Sequence, residues 1–596
     1  MFPISSKDTR SLMFVTVLAT ALLAPASLFA AGANIYVQHN LVSDVAGQAD
    51  VTDPNLVNPW GLSESATGPF WVSNQGKGNS TLYNGSGTIT PLVAIVPAAN
   101  GTTGGTPTGQ VNNSTATAFL LPNGRAASFI FATEDGTISG WVNGIANNIS
   151  VVTVNNSAAG AVYKGLAIGA NSTGPMLYAA NLNAGTIDVF DAKFAPAKAS
   201  GGFVDASVPS GFAPFNIWAL GGKLYVTYAK QDSAQKNDVP GAGNGFVAVF
   251  DFDGNLQKHL VSNGLLNSPW GVALAPATFG AFAGNLLVGN FGDGTINAFD
   301  LTSGAAQGTL KDTKGNPIVL QGLWALLFGN GGNGGDRNTL YFTAGPSFGD
   351  SKVHGLLGSL APPAAILSLM NGASYVSGTI APGEVVVLTG LTIGPSPLSQ
   401  AVIPATGAIN STLGGVSVTF NGTPAAILYC SASQTSVLVP YELSSSGPAT
   451  VSVTYRGQTA TLQVPVAATA PGVFTLDFSG NGQAVALNID DSVNTSKNPA
   501  SAGSVITLFA TGEGLTSPGG EDGVVNDRII REPQAAVSLT IGGKTAQILY
   551  AGSAPGSVQG VMQVEALIPA GLSGAVPAVL TVGTVSSQAN VTVSVK

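Results

Sequence analysis

Charge is what this chain has least of. Lys, Arg, Asp and Glu make up 9% of its 596 residues, against roughly 25% in ordinary soluble proteins. The 21 Lys and Arg are nowhere clustered and the net charge is −9. That excludes the basic patch that a nucleic acid or an anionic membrane surface requires. A single cysteine, Cys430, excludes an intrachain disulfide. It follows the apolar run 425–429, a setting for a packed thiol rather than a reactive one. Only three histidines exist, His39, His259 and His354, so a His-based metal site or relay would need them to converge. After residue 30 no uninterrupted apolar run reaches the roughly 18–20 residues of a membrane-spanning helix.

What is abundant is turn chemistry: 78 Gly and 35 Pro. A phrase of one tight-turn Gly and a short apolar strand recurs roughly every fifty residues. It reads Gly136-Thr137-Ile138-Ser139-Gly140-Trp141, then Gly185-Thr186-Ile187-Asp188-Val189-Phe190, Gly245-Phe246-Val247-Ala248-Val249-Phe250 and Gly294-Thr295-Ile296-Asn297-Ala298-Phe299. In step with it runs a strand that opens each unit: Asn58-Pro59-Trp60-Gly61, Ala118-Phe119-Leu120, Lys164-Gly165-Leu166, Phe215-Asn216-Ile217-Trp218, Ser268-Pro269-Trp270-Gly271 and Gln321-Gly322-Leu323-Trp324. Small sheets at such a period bury their faces only against neighbouring sheets, which predicts a six-bladed β-propeller. The sixth unit lacks an evident fourth strand, and His39-Asn40-Leu41-Val42-Ser43-Asp44 resembles His259-Leu260-Val261-Ser262-Asn263, the strand that precedes unit five. The N-terminal segment is therefore expected to complete the last blade and leave no open edge.

Beyond the propeller the period changes. Residues 416–429 match residues 537–550, and 382–388 match 502–508. Two modules of short strands at regular turn spacing read as immunoglobulin-like β-sandwiches, with hairpin turns at Asn421-Gly422 and Gly542-Gly543. At the other end, Lys7 and Arg10 precede an apolar stretch, 11–24, and small residues with Ala31-Gly32-Ala33 as the best cleavage site, the pattern of a secretory signal. The expected fold is thus all-β: a signal peptide (1–33), a six-bladed β-propeller (34–358), a linker (359–365) and two β-sandwich modules (366–470 and 471–596). Export to the periplasm or the cell exterior follows from the signal, with no membrane-spanning segment once it is removed.

Two resemblances join this reading. Asn371-Gly372-Ala373-Ser374-Tyr375, Ala381-Pro382-Gly383-Glu384, Val439-Pro440-Tyr441 and Ala470-Pro471-Gly472-Val473-Phe474 resemble a C-terminal domain of secreted proteins in Solibacter-type acidobacteria. Asn58-Pro59-Trp60-Gly61, Gly334-Gly335-Asp336 and residues 338–345 resemble a conserved-hypothetical family of exported bacterial propellers, some of which carry PEP-CTERM sorting tags. Both resemblances imply fold and export and neither implies an activity.

Catalytic motifs are weak. Gly345-Pro346-Ser347-Phe348-Gly349 fits G-x-S-x-G, but no helical period follows it as a nucleophile elbow demands. Residues 329–334 spell G-x-G-x-x-G and lead into a strand, which offers a pyrophosphate no helix N-terminus. Asp251 and Asp253 open like a calcium loop but lack a closing Glu, so a hairpin turn is the competing reading. No cofactor is expected otherwise. The better surface is one mouth of the ring, where the strand-opening residues Asn58, Trp60, Lys164, Asn216, Trp218, Asn267, Trp270, Gln321 and Trp324 converge. Indole faces beside amides can stack on sugar rings and bond their hydroxyls; the alternative is Trp packed between blades and Asn capping turns. The expectation is a non-enzymatic binding or envelope-associated protein whose partner is a glycan, a small molecule or an envelope protein. The rival is a propeller hydrolase acting on a lactone or polysaccharide, which would need carboxylates at the mouth; the strand-opening positions carry none.

Overall fold

The computed structural model describes residues 34–596, apart from 102–103, 396–397, 403, 405–406, 445–446 and 526–528. The signal segment 1–33 lies outside the described residues. No described helix is long and apolar enough to cross a membrane. The chain divides into two compact units, one ending at Pro362 and one spanning Pro363–Lys596.

The first unit is all-β and β-propeller-like: among the described residues it has six small sheets, five built from antiparallel strands that neighbour in sequence and one from strands of both ends of the unit. Their inner strands are Pro59–Glu64, Pro107–Asn112, Tyr163–Asn171, Phe212–Leu220, Pro269–Leu274 and Leu323–Phe328. Each inner strand lies beside the next, and the sixth returns to the first, so they form a closed ring. Glycine makes the close approach possible. A Cβ on Gly61 would strike the Thr108 carbonyl, one on Gly109 the Leu166 amide, and one on Gly165 the Asn216 side chain. The Gly of each Trp-Gly pair is there for the neighbouring backbone, not for a turn.

The Gly-led phrase forms the third strand of sheets two to five: Thr137–Trp141, Thr186–Asp191, Phe246–Phe250 and Ile296–Phe299. In the second unit the reading of Ala118-Phe119-Leu120 as the inner strand is wrong. The inner strand there is Pro107–Asn112, while Phe119 sits in a loop at φ 57° with its ring buried. The polar stretch Pro107-Thr108-Gly109-Gln110 carries no apolar signature because its side chains bond inside the ring: Thr108 Oγ1 donates to the Tyr163 carbonyl at 2.7 Å, and the Gln110 amide donates to the Trp71 carbonyl.

The sixth sheet contains Leu323–Phe328, Leu340–Ala344 and Leu356–Ala361, and its fourth strand is Val37–Ser43, antiparallel to Leu356–Ala361. The seam is reinforced where these strands end. Ser43 Oγ donates to the Gly355 carbonyl at 2.8 Å, the Gly355 amide donates to Asp44 Oδ1 at 2.8 Å, and His354 Nδ1 lies 2.9 Å from Asp44 Oδ2. The expected linker 359–365 shrinks accordingly. Leu360 and Ala361 pair with Gln38 and Val37, and only residues 362–364 separate the sheet from the next strand.

The second unit begins with two facing sheets, one running from Ala365–Asn371 to Gln434–Leu438 and Ile427–Cys430, the other holding Val416–Phe420, Ala449–Tyr455 and Gln458–Val464. Leu388, Val418, Cys430, Val437 and Val451 pack between them. The remainder holds one ten-stranded sheet and a two-stranded one, Thr516–Ser517 with Glu532–Pro533. The two halves differ at one strand. Thr423–Pro424 pairs with Val416–Phe420 and is separated from Ile427–Cys430, whereas the matching Lys544–Ser553 runs unbroken and pairs with Val537–Ile541 at one end and Val561–Leu567 at the other. The two halves share a core of Leu428, Leu438, Phe474, Phe509 and Val561. Glycines at 383 and 520 approach the Tyr441 ring so closely that a Cβ on either would strike it. Glu384 and Glu513 are buried here, and burial raises their carboxyls to about 8 and about 7. The turns at Asn421-Gly422 and Gly542-Gly543 have positive φ at all four positions, as type I′ hairpins require.

Candidate functional site: one mouth of the ring

Antiparallel pairing places the end of each second strand beside the start of its inner strand: Pro59 opposes Asn74, Pro107 opposes Thr133, Tyr163 opposes Asn181 and Pro269 opposes Asn290. Residues just past the second strands, among them Gln75, Glu134 and Phe291, therefore join the strand-opening residues at one end of the ring. They line a cavity of about 540 Å³ with Asn58, Trp60, Lys164, Asp238, Asp293, Gln321 and Trp324.

A chain of side-chain bonds runs along this rim through four sheets. Trp324 Nε1 donates to Asn58 Oδ1 at 3.2 Å, Asn58 Nδ2 to Gln75 Oε1 at 2.8 Å, and Gln75 Nε2 to Glu134 Oε2 at 2.8 Å. Glu134 Oε1 closes an ion pair with Lys164 Nζ, whose side chain is 3% exposed. The ammonium also lies 5.1 Å from the centre of the Trp60 ring, a geometry that favours the cation. Trp60 stacks on Trp324 with centroids 3.5 Å apart, and Trp324 on Phe291 at 4.1 Å.

One polar atom of this cavity, Trp60 Nε1, is buried without a hydrogen-bond partner, and a second, the buried Asp238 Oδ2, has the Ser268 hydroxyl beside its carboxyl. Burial lifts the Asp238 carboxyl above its usual range, against a hydrogen bond from Ser268 and the weaker pull of Lys164. An unpaired buried acceptor or donor costs roughly 1–3 kcal/mol.

The structure brings Asn58, Trp60, Lys164, Gln321 and Trp324 to the cavity and leaves the other four sequence candidates out of its lining. Trp270 is 1% exposed and packs edge-on beneath Trp60 and Trp324, its Nε1 donating to the Lys164 carbonyl at 3.1 Å. Asn216 is buried and donates to the Trp270 carbonyl at 2.8 Å. Trp218 packs edge-on against Trp270, ring centroids 6.4 Å apart, and so joins the aromatic cluster from the side rather than the cavity lining. Asn267 donates to Asp293 Oδ2 at 3.1 Å and accepts from the Gly241 amide, a turn role. Sequence reasoning found no carboxylate at this mouth, and that is corrected: Glu134, Asp238 and Asp293 are all present. Their signal was position, one residue past a second strand for Glu134, while Asp238 arrives on the long 231–245 connection of sheet four.

The other motifs resolve as loops. Ser347 Oγ donates to Gln321 Oε1 at 3.2 Å in a segment with no helix after it. Asp251 Oδ1 accepts from the amides of Asp253 and Asn255 at 3.0 and 2.8 Å, and Asp253 Oδ1 accepts from Ser172 at 2.9 Å. Those oxygens hold a hairpin turn. Among the described residues no group of three or more His, Cys, Asp and Glu is placed to hold a metal ion.

Fold and mouth together define a β-propeller-like protein with a polar, aromatic-floored cavity at one end of the ring. No family model matches the chain. It is 32% identical over 331 residues to Uncharacterized protein R648 of Acanthamoeba polyphaga mimivirus, a match spanning 54% of this chain and 78% of that protein. It is 33% identical over 321 residues to Uncharacterized protein L690 of the same virus, spanning 52% and 81%. The chain belongs to the family of these mimivirus proteins. Among solved structures, a streptogramin B lyase aligns at 12% identity and TM-score 0.31 over 55% of this chain and 97% of its own. A PQQ-bound aldose sugar dehydrogenase from Streptomyces coelicolor aligns at 13% and 0.34 over 55% and 100%.

Proposed function

We propose that this is an exported binding protein: a six-bladed propeller whose mouth holds a small polyhydroxylated ligand, a sugar or the end of a glycan, carried on two immunoglobulin-like modules that act as spacer or docking units. One observation carries the reading. The cavity contains a buried acceptor, Asp238 Oδ2, with the Ser268 hydroxyl beside its carboxyl, and a buried donor, Trp60 Nε1, without a partner. A hydroxyl group is the ligand atom that can donate to the first and accept from the second. The stacked indoles supply the apolar face a sugar ring packs on, and the Lys164–Glu134 pair supplies further polar contacts at fixed positions.

The test is binding of the purified chain to a glycan array, followed by titration calorimetry on the best ligand. Asp238→Ala should weaken binding by about 10–100-fold, the worth of a hydrogen bond to a charged group, with the melting temperature nearly unchanged because Asp238 stands on a connection. Trp270→Ala would not serve, since that ring is core. The presence of Glu134 and Asp238 favours a second reading, a hydrolase of a lactone or polysaccharide. It is distinguished by turnover: appearance of cleaved product, abolished in Glu134→Gln, would replace the binder with the enzyme.

A further inference from the structure

The outermost strand of the fourth sheet, Leu256–Ser262, contains a bulge. His259 opposes Ala248 and Val261 opposes Val247, so Leu260 is an extra residue with no partner. In a regular strand residues three apart face opposite sides. The extra residue reverses that parity and brings His259 and Ser262 to one face. There Ser262 Oγ lies 2.5 Å from His259 Nε2, and His259 Nδ1 lies 2.6 Å from Asp205 Oδ2. The Asp205 side chain is 1% exposed and its Oδ1 accepts from the Ser207 amide at 2.9 Å, while Ser262 is exposed. With the Nδ1 proton donated to the buried carboxylate, Nε2 is left to accept the serine proton. This is the order and geometry of a nucleophile, its base and the group that orients the base. It needs one histidine, where the sequence reading required several to converge.

The matching segment of the sixth sheet is an internal contrast. It carries the similar run His39-Asn40-Leu41-Val42-Ser43, with a bulge at Leu41. Yet Ser43 is buried and donates to the Gly355 carbonyl, and His39 faces the exposed Asp50 through Nε2. The same motif does not produce the relay twice. Only where the 198–211 connection carries Asp205 under the sheet edge do the three groups line up. After Ser262 the chain turns through Asn263 and Gly264, at φ 52° and 56°.

We propose that Ser262, His259 and Asp205 form a second site, separate from the mouth, that cleaves short-chain acyl esters. Ser262 Oγ attacks the acyl carbonyl as its proton passes to His259 Nε2. The bond from acyl carbon to alcohol oxygen breaks, and the alcohol leaves with the proton from His259. Water, deprotonated by the same nitrogen, then attacks the acyl-serine, releasing the carboxylic acid and restoring the hydroxyl. Asp205 is a positioning residue. Because Ser262 lies open at a sheet edge, the ester is a small acyl group presented on an accessible alcohol, as acetyl is on a polymer.

The test uses the full chain with a fluorophosphonate probe and 4-nitrophenyl acetate. The probe should attach at Ser262, located by peptide mass spectrometry. Ser262→Ala and His259→Ala should each lower both labelling and hydrolysis by about 10²-fold or more. Asp205→Asn should lower hydrolysis and alter the pH profile, a readout that a role in loop packing alone would not move. Ser262→Ala should retain the wild-type melting temperature. Absence of labelling, labelling that persists in His259→Ala, or modification at another serine such as Ser347 would each overturn the proposal.

Discussion

Gly165 shows how tightly single residues are bound to the ring. The atom it lacks would occupy the place of the Asn216 side chain, whose amide donates to the Trp270 carbonyl beneath the cavity floor. Gly165→Ala must displace Asn216 and free that carbonyl. Overpacking of this kind costs about 1–3 kcal/mol, expected as a lower urea midpoint. Gly519→Ala, where nothing lies within 4 Å of the added carbon, should change the midpoint little. Cys430 illustrates the opposite tendency, a reactive group made inert: burial pushes its thiol up to about 12, and its Sγ sits 3.3 Å from the Leu413 carbonyl.

At the scale of the element, the seam of the sixth sheet depends on pH. The carboxylates of Asp350 and Asp44 raise His354 above its ordinary value, Asp350 contributing most. A raised histidine stabilises the folded state fully below its unfolded value of about 6.5, and that contribution disappears as pH rises through the folded value. The unfolding free energy should therefore fall above about pH 6.5 by about 0.5 kcal/mol, typical of a solvent-screened pair, and the thermal midpoint with it. His354→Gln should remove this component of the pH dependence; an identical slope in the variant would refute the assignment. The strands themselves were legible because alternation and turn glycines mark them directly. The inner strand of sheet two was not: Thr108 and Gln110 satisfy their polar groups against neighbouring sheets, which no local pattern reveals. The same applies to the mouth. Asn58, Trp60 and Trp324 could be placed from their own strands, whereas Glu134 and Asp238 reach it only through antiparallel pairing and a long connection.

At the scale of the molecule, the two repeated halves of the second unit are joined into one compact body. Val385 N donates to Thr511 Oγ1 at 2.9 Å and Asn371 Nδ2 to the Ala470 carbonyl at 3.0 Å, joining the two repeated halves. Burial holds Glu384 and Glu513 protonated to about pH 8 and about 7. Their contribution is complete below about 4.5 and is lost as pH rises through those folded values. Denaturation of this unit should thus begin at lower urea at pH 8.5 than at pH 5, and Glu513→Gln should reduce the difference. A midpoint that rises with pH would contradict the burial argument.

The pairing of Val37–Ser43 with Leu356–Ala361 also has a consequence in time. Val37–Ser43 is matched with a strand made more than three hundred residues later, so a nascent chain cannot close this sheet until residue 361 is available. A product that stops short of Leu356 carries an unsatisfied strand at each end of an open arc. Synthesis through residue 361 thereby becomes a condition for closing the sheet, and a shorter copy exposes two loose edges.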